Sequence, residues 1–172
     1  ACEGQAGRSG MTKQEVYALL RQKGIPFEAT EHEAVFHMAQ LSSAPLPYPE
    51  ADAKNLFVRD DKRQAFCLIT VRGDKRVDLK AFRRAQGLRP LSFASPEELE
   101  RYLKLKPGSV TPLGALCDAE GLVRLYRDRD VWKEPRKIGV HPCDNTATVW
   151  LDPDDLVRLL AESGHEPCLV DL

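Results

Sequence analysis

Lys54 and Asn55 stand at the head of an apolar run, Leu56-Phe57-Val58. A lysine ammonium is a compact positive charge on a flexible stem, which suits a phosphate or a developing oxyanion. Two distant segments carry groups of a complementary kind. Pro107-Gly108-Ser109-Val110-Thr111-Pro112 reads as a turn whose glycine lets backbone amides approach a ligand, with hydroxyls at Ser109 and Thr111. His141-Pro142-Cys143-Asp144-Asn145-Thr146 brings an imidazole that titrates near neutrality, and Thr148 follows it. A cation, loop amides and neutral polar side chains together suit gripping a phosphate or carbonyl oxygen at the mouth of a small pocket. The set contains no obvious nucleophile.

Residue type alone leaves plainer roles open. Lys54 equally suits a solvated lysine at a strand start, Gly108 to Pro112 a helix-to-strand turn, and His141 a structural histidine. Other chemistries are excluded by pattern. No GxSxG supports a hydrolase triad, and His32 and His37 lack the HExxH spacing. Gly73 opens no P-loop, since no Lys-Ser/Thr pair follows it. The five cysteines show neither CxxC nor zinc spacing, so neither metal nor cofactor is expected.

The elements that must position these residues begin with Thr12-Lys13-Gln14-Glu15, a capping box that opens a helix with Val16, Leu19 and Leu20 inward, ended by Gly24. Phe27 to Glu31 predicts a short strand. Ala39 to Ala53 is rich in Pro, Ser and Ala and predicts a loop or broken helix. Asn55 to Arg59 and Ala65 to Arg72 predict a hairpin around Asp60-Asp61-Lys62-Arg63. Asp78 to Gly87 predicts a helix with Leu79, Phe82 and Ala85 inward; Ser95-Pro96-Glu97-Glu98 starts another, which stops before Pro107. Leu113 to Cys117 and Leu122 to Tyr126 predict a second hairpin across Asp118 to Gly121. Lys137 to Val140, Ala147 to Leu151 and Cys168 to Val170 predict strands, and Asp152-Pro153 opens a last helix. The expectation is a single α/β domain: a mixed, mostly antiparallel central sheet with flanking helices.

A chain of 172 residues suits one core, and its hydrophobic and charged fractions of 42% and 30% are those of a folded soluble protein. The net charge of -1 gives no global signal for nucleic acid, although a local basic face can hold an RNA end. Two basic stretches qualify, one containing Lys80, Arg83, Arg84 and Arg89, the other running from Arg124 to Lys137; acidic residues interleave in both. Cysteines in apolar runs favour a reducing cytoplasm. No apolar run spans a bilayer and no signal-peptide core is read. Residues 1–10 are expected to be a disordered leader or expression remnant, and 11–172 the domain.

Glu31-His32-Glu33-Ala34-Val35-Phe36, Lys54-Asn55-Leu56-Phe57, Asp78-Leu79-Lys80, Leu91-Ser92-Phe93-Ala94, Gly108-Ser109-Val110-Thr111-Pro112, and His141-Pro142 with Asn145 and Thr148 resemble, in order and spacing, the YbaK/ProX-like aminoacyl-tRNA deacylases. These are free-standing relatives of the editing domain inserted in some bacterial prolyl-tRNA synthetases. The resemblance runs from about Met11 to the C-terminus and is strongest to the branch that removes alanine from tRNA(Pro). It implies hydrolysis of the ester joining a wrong amino acid to the 3′ adenosine. It implies catalytic roles for Lys54, Gly108 and Ser109, and a substrate pocket drawn from Val35, Phe36, Asn55, Thr111, Pro112, His141, Pro142, Asn145 and Thr148. The expected partner is the acceptor end of mischarged tRNA(Pro), held by Lys80, Arg83, Arg84 and Arg89, with prolyl-tRNA synthetase or an elongation factor as a transient partner. No DNA or membrane partner is expected, and the chain is expected to be a monomer. His37 stands where many relatives carry Thr or another small residue, which bears on the amino acid removed.

An aminoacyl ester is already activated, so hydrolysis needs a placed water and a stabilised oxyanion. The expectation is that Lys54 and the Gly108 and Ser109 amides supply the stabilisation, while the substrate's 2′-OH orients the water. A small pocket walled by Val35, Phe36 and His141 would admit alanine and exclude proline by clash. Removal of cysteine or serine, a catalytically silent tRNA- or synthetase-binding module, and a free amino-acid sensor are the alternatives.

Overall fold

The computed structural model describes residues 10–33, 47–73 and 75–172. The Pro/Ser/Ala-rich stretch, with Val35, Phe36 and His37, falls largely outside them, as do residues 1–9.

Helix α1 (Lys13–Gln22) starts at the Thr12 capping box and buries Val16, Tyr17 and Leu20. Strand β1 (Phe27–Glu31) follows it. A single 3₁₀ turn, Pro49–Ala51, leads into β2 (Ala53–Asp60), so Lys54 lies inside the strand and not ahead of it. The hairpin to β3 (Phe66–Arg72) forms with Lys54 opposite Val71 and Asn55 opposite Thr70. Helix α2 (Leu79–Gln86) is capped by the Asp78 side chain and by Gly87 in the left-handed conformation; Phe82 is its buried residue, while Ala85 faces solvent. Leu91–Phe93 forms a strand, β4, which the sequence reading did not separate from its loop; it adds to the edge of β2. Helix α3 (Pro96–Leu103) has the second capping box.

The second expected hairpin is absent. Pro112–Cys117 is a 3₁₀ helix, with Pro112 at its first turn and the Thr111 hydroxyl accepting from Leu113 N. Gly114 packs so closely on Leu105 that a Cβ would sit 2.6 Å from its Cδ1. The Asp118 carboxylate then takes the amides of Leu122 and Val123 and releases the chain into β5 (Val123–Asp128), which pairs in parallel with β3. β6 (Ile138–Val140), β7 (Ala147–Leu151), α4 (Pro153–Glu162) and β8 (Cys168–Val170) complete the described elements.

The strands form two sheets among the described residues: a five-stranded mixed sheet, β4-β2-β3-β5-β8, and a three-stranded antiparallel sheet, β1-β7-β6. A lone parallel bridge between Asp52 and Gly139 stitches them together. The larger core lies between the sheets and under α1, α3 and α4, with Phe57, Leu68, Val140, Val149 and Leu151 in it. A smaller one lies on the other face of the large sheet, where Val58, Ile69 and Val71 meet Phe82 of α2.

Candidate active site

Side chains alternate along a strand, so neighbours in β2 face opposite ways. Ala53 and Phe57 pack on the larger core, Leu56 and Val58 on the smaller one. Lys54 therefore shares a face with Leu56 and Val58. Its ammonium donates to the Lys75 carbonyl. Lys75 is itself pinned: its Nζ donates to Asp128 at 2.7 Å and Asp130 at 3.0 Å. Burial works against that charge, yet the two carboxylates hold the Lys75 pKa above the ordinary lysine value. Asn55 faces the other way, and its Oδ1 accepts from the Thr70 hydroxyl at 2.6 Å.

The Gly108 turn belongs to the Asn55 side. Gly108 adopts φ 87°, a conformation that favours glycine. Val110 packs against the larger core, and Pro112 shares a cavity of about 20 Å³ with Thr70, Leu125 and Ile138. Ser109 and Thr111 are buried. The Ser109 amide is donated to Lys106 O at 3.0 Å, so it closes the turn and is not the oxyanion donor expected of it. The contacts of Lys54 and of this turn thus lie on opposite faces of the large sheet.

What Lys54 does share a face with is reached through the seam. Residues bridged across strands point their side chains the same way. A Cβ on Gly139 would meet the Trp150 ring at 2.3 Å, so the outward side of this seam is the Trp150 side, and the Asp52 side chain lies on it. Asp52 precedes Ala53, which puts Asp52 and Lys54 on one face. The outward residues of the small sheet continue it: Trp150 donates to Thr30 Oγ1 at 3.0 Å, and the Tyr48 ring stands edge-on to Trp150 at 5.7 Å.

Two histidines complete the face. His141 Nδ1 lies 2.9 Å from Ala147 O, and a carbonyl only accepts, so Nδ1 carries the proton and Nε2 keeps its lone pair. Burial lowers the His141 pKa, which keeps the ring neutral at pH 7. His32 donates from Nδ1 to Glu33 O at 2.8 Å, and its Nε2 accepts from the Thr148 hydroxyl at 2.9 Å. The two rings stand edge-on with centroids 6.1 Å apart. His32 was not among the residues expected to form the site, although the Glu31-His32-Glu33 segment carried the signal. Asp52, Tyr48 and Trp150 had none that a single sequence offers.

The turn between β6 and β7 is held from behind. Cys143 takes φ 62°, and the Asp144 Oδ1 accepts from Thr146 N and Oγ1 at 2.8 and 2.6 Å. Lys13 of α1 donates to Thr146 Oγ1 at 3.0 Å and to Glu31 at 2.6 Å, and Tyr17 donates to Glu31 at 3.0 Å. His32 N closes the set on Thr146 O at 2.9 Å. Pro142 is buried in this turn, and Asn145 is half-buried.

Of the residues expected to hold RNA, Lys80 and Arg84 are exposed on α2 and Arg83 is half-exposed. Arg89 is engaged by both oxygens of Asp61, at 2.6 and 3.1 Å. Phe93, 62% exposed, lies on β4 opposite Val58, and so on the α2 side of the sheet. In the second basic stretch Arg127 stacks on Trp132, Arg129 pairs with Asp171, and Arg136 with Asp154, while Arg124 is exposed. Among the described residues no cluster of three His, Cys, Asp or Glu could hold a metal, and no helix is long and apolar enough to cross a membrane.

The outward face thus carries a fixed ammonium and a neutral imidazole acceptor. The sequence profile of the aminoacyl-tRNA editing domain matches residues 32–159, and the chain belongs to that family. It is 34% identical over 153 residues to the prolyl-tRNA editing protein ProX of Acetoanaerobium sticklandii, covering 89% of this chain and 93% of that one. It is 30% identical over 168 residues to the prolyl-tRNA synthetase associated domain-containing protein 1 of Bos taurus, covering 94% and 98%. A solved structure named for trans-editing with prolyl tRNA synthetase shares the fold, with a TM-score of 0.66 at 24% identity over 93% of this chain and 95% of that one.

Proposed function

We propose that this chain is a trans-acting aminoacyl-tRNA deacylase that removes alanine from mischarged tRNA(Pro). The observation that carries the reading is the His141 tautomer: a half-buried, neutral ring whose Nδ1–H is committed to Ala147 O and whose Nε2 is an acceptor. It shares an outward face with an ammonium in a chain similar to ProX along nearly its whole length.

The chemistry follows from those groups. Water adds to the ester carbonyl carbon, and the 2′-OH of the terminal ribose orients it. Nε2 of His141 takes the proton and returns it to the departing 3′ oxygen, which leaves free alanine and tRNA with a 3′-OH. The Lys54 ammonium has three donors. One is spent on Lys75 O, which fixes the amine, and the others are left to offset charge on the carbonyl oxygen or the neighbouring phosphate. Alanine is selected over proline by size, with His141 as one wall. The acceptor stem lies along α2, where Lys80 and Arg84 meet phosphates, and the protein acts in the cytoplasm beside prolyl-tRNA synthetase.

The test is deacylation of tRNA(Pro) carrying alanine, cysteine or serine, with Ala-tRNA(Ala) for comparison. Faster release from Ala-tRNA(Pro) than from the other three supports the reading. Equal binding without turnover would make the chain a silent RNA-binding module.

A further inference from the structure

Asp52 is a buried carboxylate of the outward face that the mechanism above does not use. The residue is 8% exposed, and its Oδ2 is buried with no hydrogen-bond partner. Most buried polar atoms are paired, because leaving one bare costs its lost hydration. The backbone around it is fully used: Asp52 N donates to Pro49 O, Asp52 O accepts from Gly73 N, and the residue bridges to Gly139. The carboxyl is therefore held at the seam by its main chain, not by any contact of its own.

The natural partner is two residues along on the same face. Yet the Lys54 ammonium is drawn off to Lys75 O, and Lys75 is kept there by Asp128 and Asp130. The arrangement separates a cation from an anion that alternation in β2 would otherwise bring together. It leaves a carboxyl without a counter-charge on the face that carries Lys54, where a partner cation would relieve an unpaired buried group. Burial alone pushes this carboxyl up to about 7, and a cation arriving beside it would favour its ionised form.

We propose that Asp52 receives the α-ammonium of the aminoacyl group and so restricts the enzyme to esters of amino acids. The proposal rests on the deacylase reading and adds the group that distinguishes an aminoacyl ester from any other ester on the same ribose. A charge-assisted hydrogen bond there is worth roughly ten- to hundredfold in recognition.

The isosteric probe is L-lactyl-tRNA(Pro), in which a hydroxyl replaces the ammonium of Ala-tRNA(Pro) at unchanged size. The wild-type chain should cleave the alanyl ester about ten- to hundredfold better by kcat/KM. Asp52→Asn should shrink the ratio by about tenfold or more, slowing alanyl release more than lactyl release. A wild-type ratio of one, or an undiminished ratio in Asp52→Asn of unchanged melting cooperativity, overturns the proposal. A parallel measurement separates it from the deacylase reading. Calorimetry with 3′-alanylamido-3′-deoxyadenosine and its lactyl counterpart requires no turnover. A preference for the amine that vanishes in Asp52→Asn supports the ammonium site even if no ester is hydrolysed; equal affinities in the wild type sink it even if esters are.

Discussion

Lys54 and Asn55 are adjacent in sequence and project from opposite faces of β2, the lysine to Lys75 O and the asparagine to Thr70 Oγ1. They are not one catalytic pair. Lys54→Ala should lower kcat/KM for Ala-tRNA(Pro) by at least about a hundredfold, the range seen on removal of an oxyanion donor, with little change in melting temperature. Asn55→Ala should instead cost about 1 kcal/mol of stability, and Thr70→Val about the same. Denaturant titration of the two single variants and the double variant checks this. A coupling near zero would mean that the Asn55–Thr70 bond contributes nothing.

His141 should set an acid limb on the reaction. Its folded-state pKa is lowered by burial, so the neutral, accepting ring persists below the ordinary histidine value and is lost only in stronger acid. The unfolded chain protonates first as pH falls, so this site's contribution to stability is full above about pH 6.5 and declines below it. The expected kcat/KM profile is level through neutrality and falls in acid. His141→Asn keeps a donor toward Ala147 O but removes the distal acceptor. It should fold with a near-native melting temperature and lose the acid limb along with most activity, about a hundredfold.

Asp52 has the opposite sign. Burial raises its carboxyl from 3.8 to about 7, so between those values the folded chain holds a proton that the unfolded chain has released. Stability then falls as pH rises through that window. Asp52→Asn cannot ionise. Its stability advantage over wild type should grow by about 3 kcal/mol between about pH 5 and about pH 8. Melts at both values read it directly, and a constant difference would show the carboxyl to be unperturbed.

Gly139→Ala should be costly for a reason that involves no turn. The added methyl would meet Cζ3 of Trp150 at 2.3 Å, and Trp150 is buried with Tyr48 against it. The ring must move or the seam must open, at about 1–3 kcal/mol. A red-shifted tryptophan emission together with a lower melting temperature is expected; an unchanged melt would mean that the ring swings aside freely.

Capping boxes made α1 and α3 legible to within a residue, because Thr12–Glu15 and Ser95–Glu98 satisfy helix-end amides with local chemistry. The hairpin of β2 and β3 was legible for the same local reason. Leu113 to Cys117 was misread because its apolar run carries no period that separates a strand from a buried 3₁₀ turn, and what decides it is distant: Leu105 against Gly114. The site divided along the same line. Lys54, His141 and Thr148 were named from residue type and motif. Asp52 was not, since nothing local marks a carboxyl as partnerless; that depends on where Gly139 and Lys75 bring their backbones. Alternation alone would have warned that Lys54 and Asn55 diverge.

Asp128 is fully buried and serves two masters: one oxygen takes the Lys75 ammonium, the other the Leu172 amide at 3.0 Å. The aim of the Lys54 amine is therefore set by a relay that starts on another strand and runs through a backbone carbonyl. Loss of that aspartate would leave Lys75 to Asp130 alone, loosen its carbonyl, and let Lys54 turn to the neighbouring carboxylate. The enzyme would be disarmed by an internal ion pair, with every residue of its working face intact.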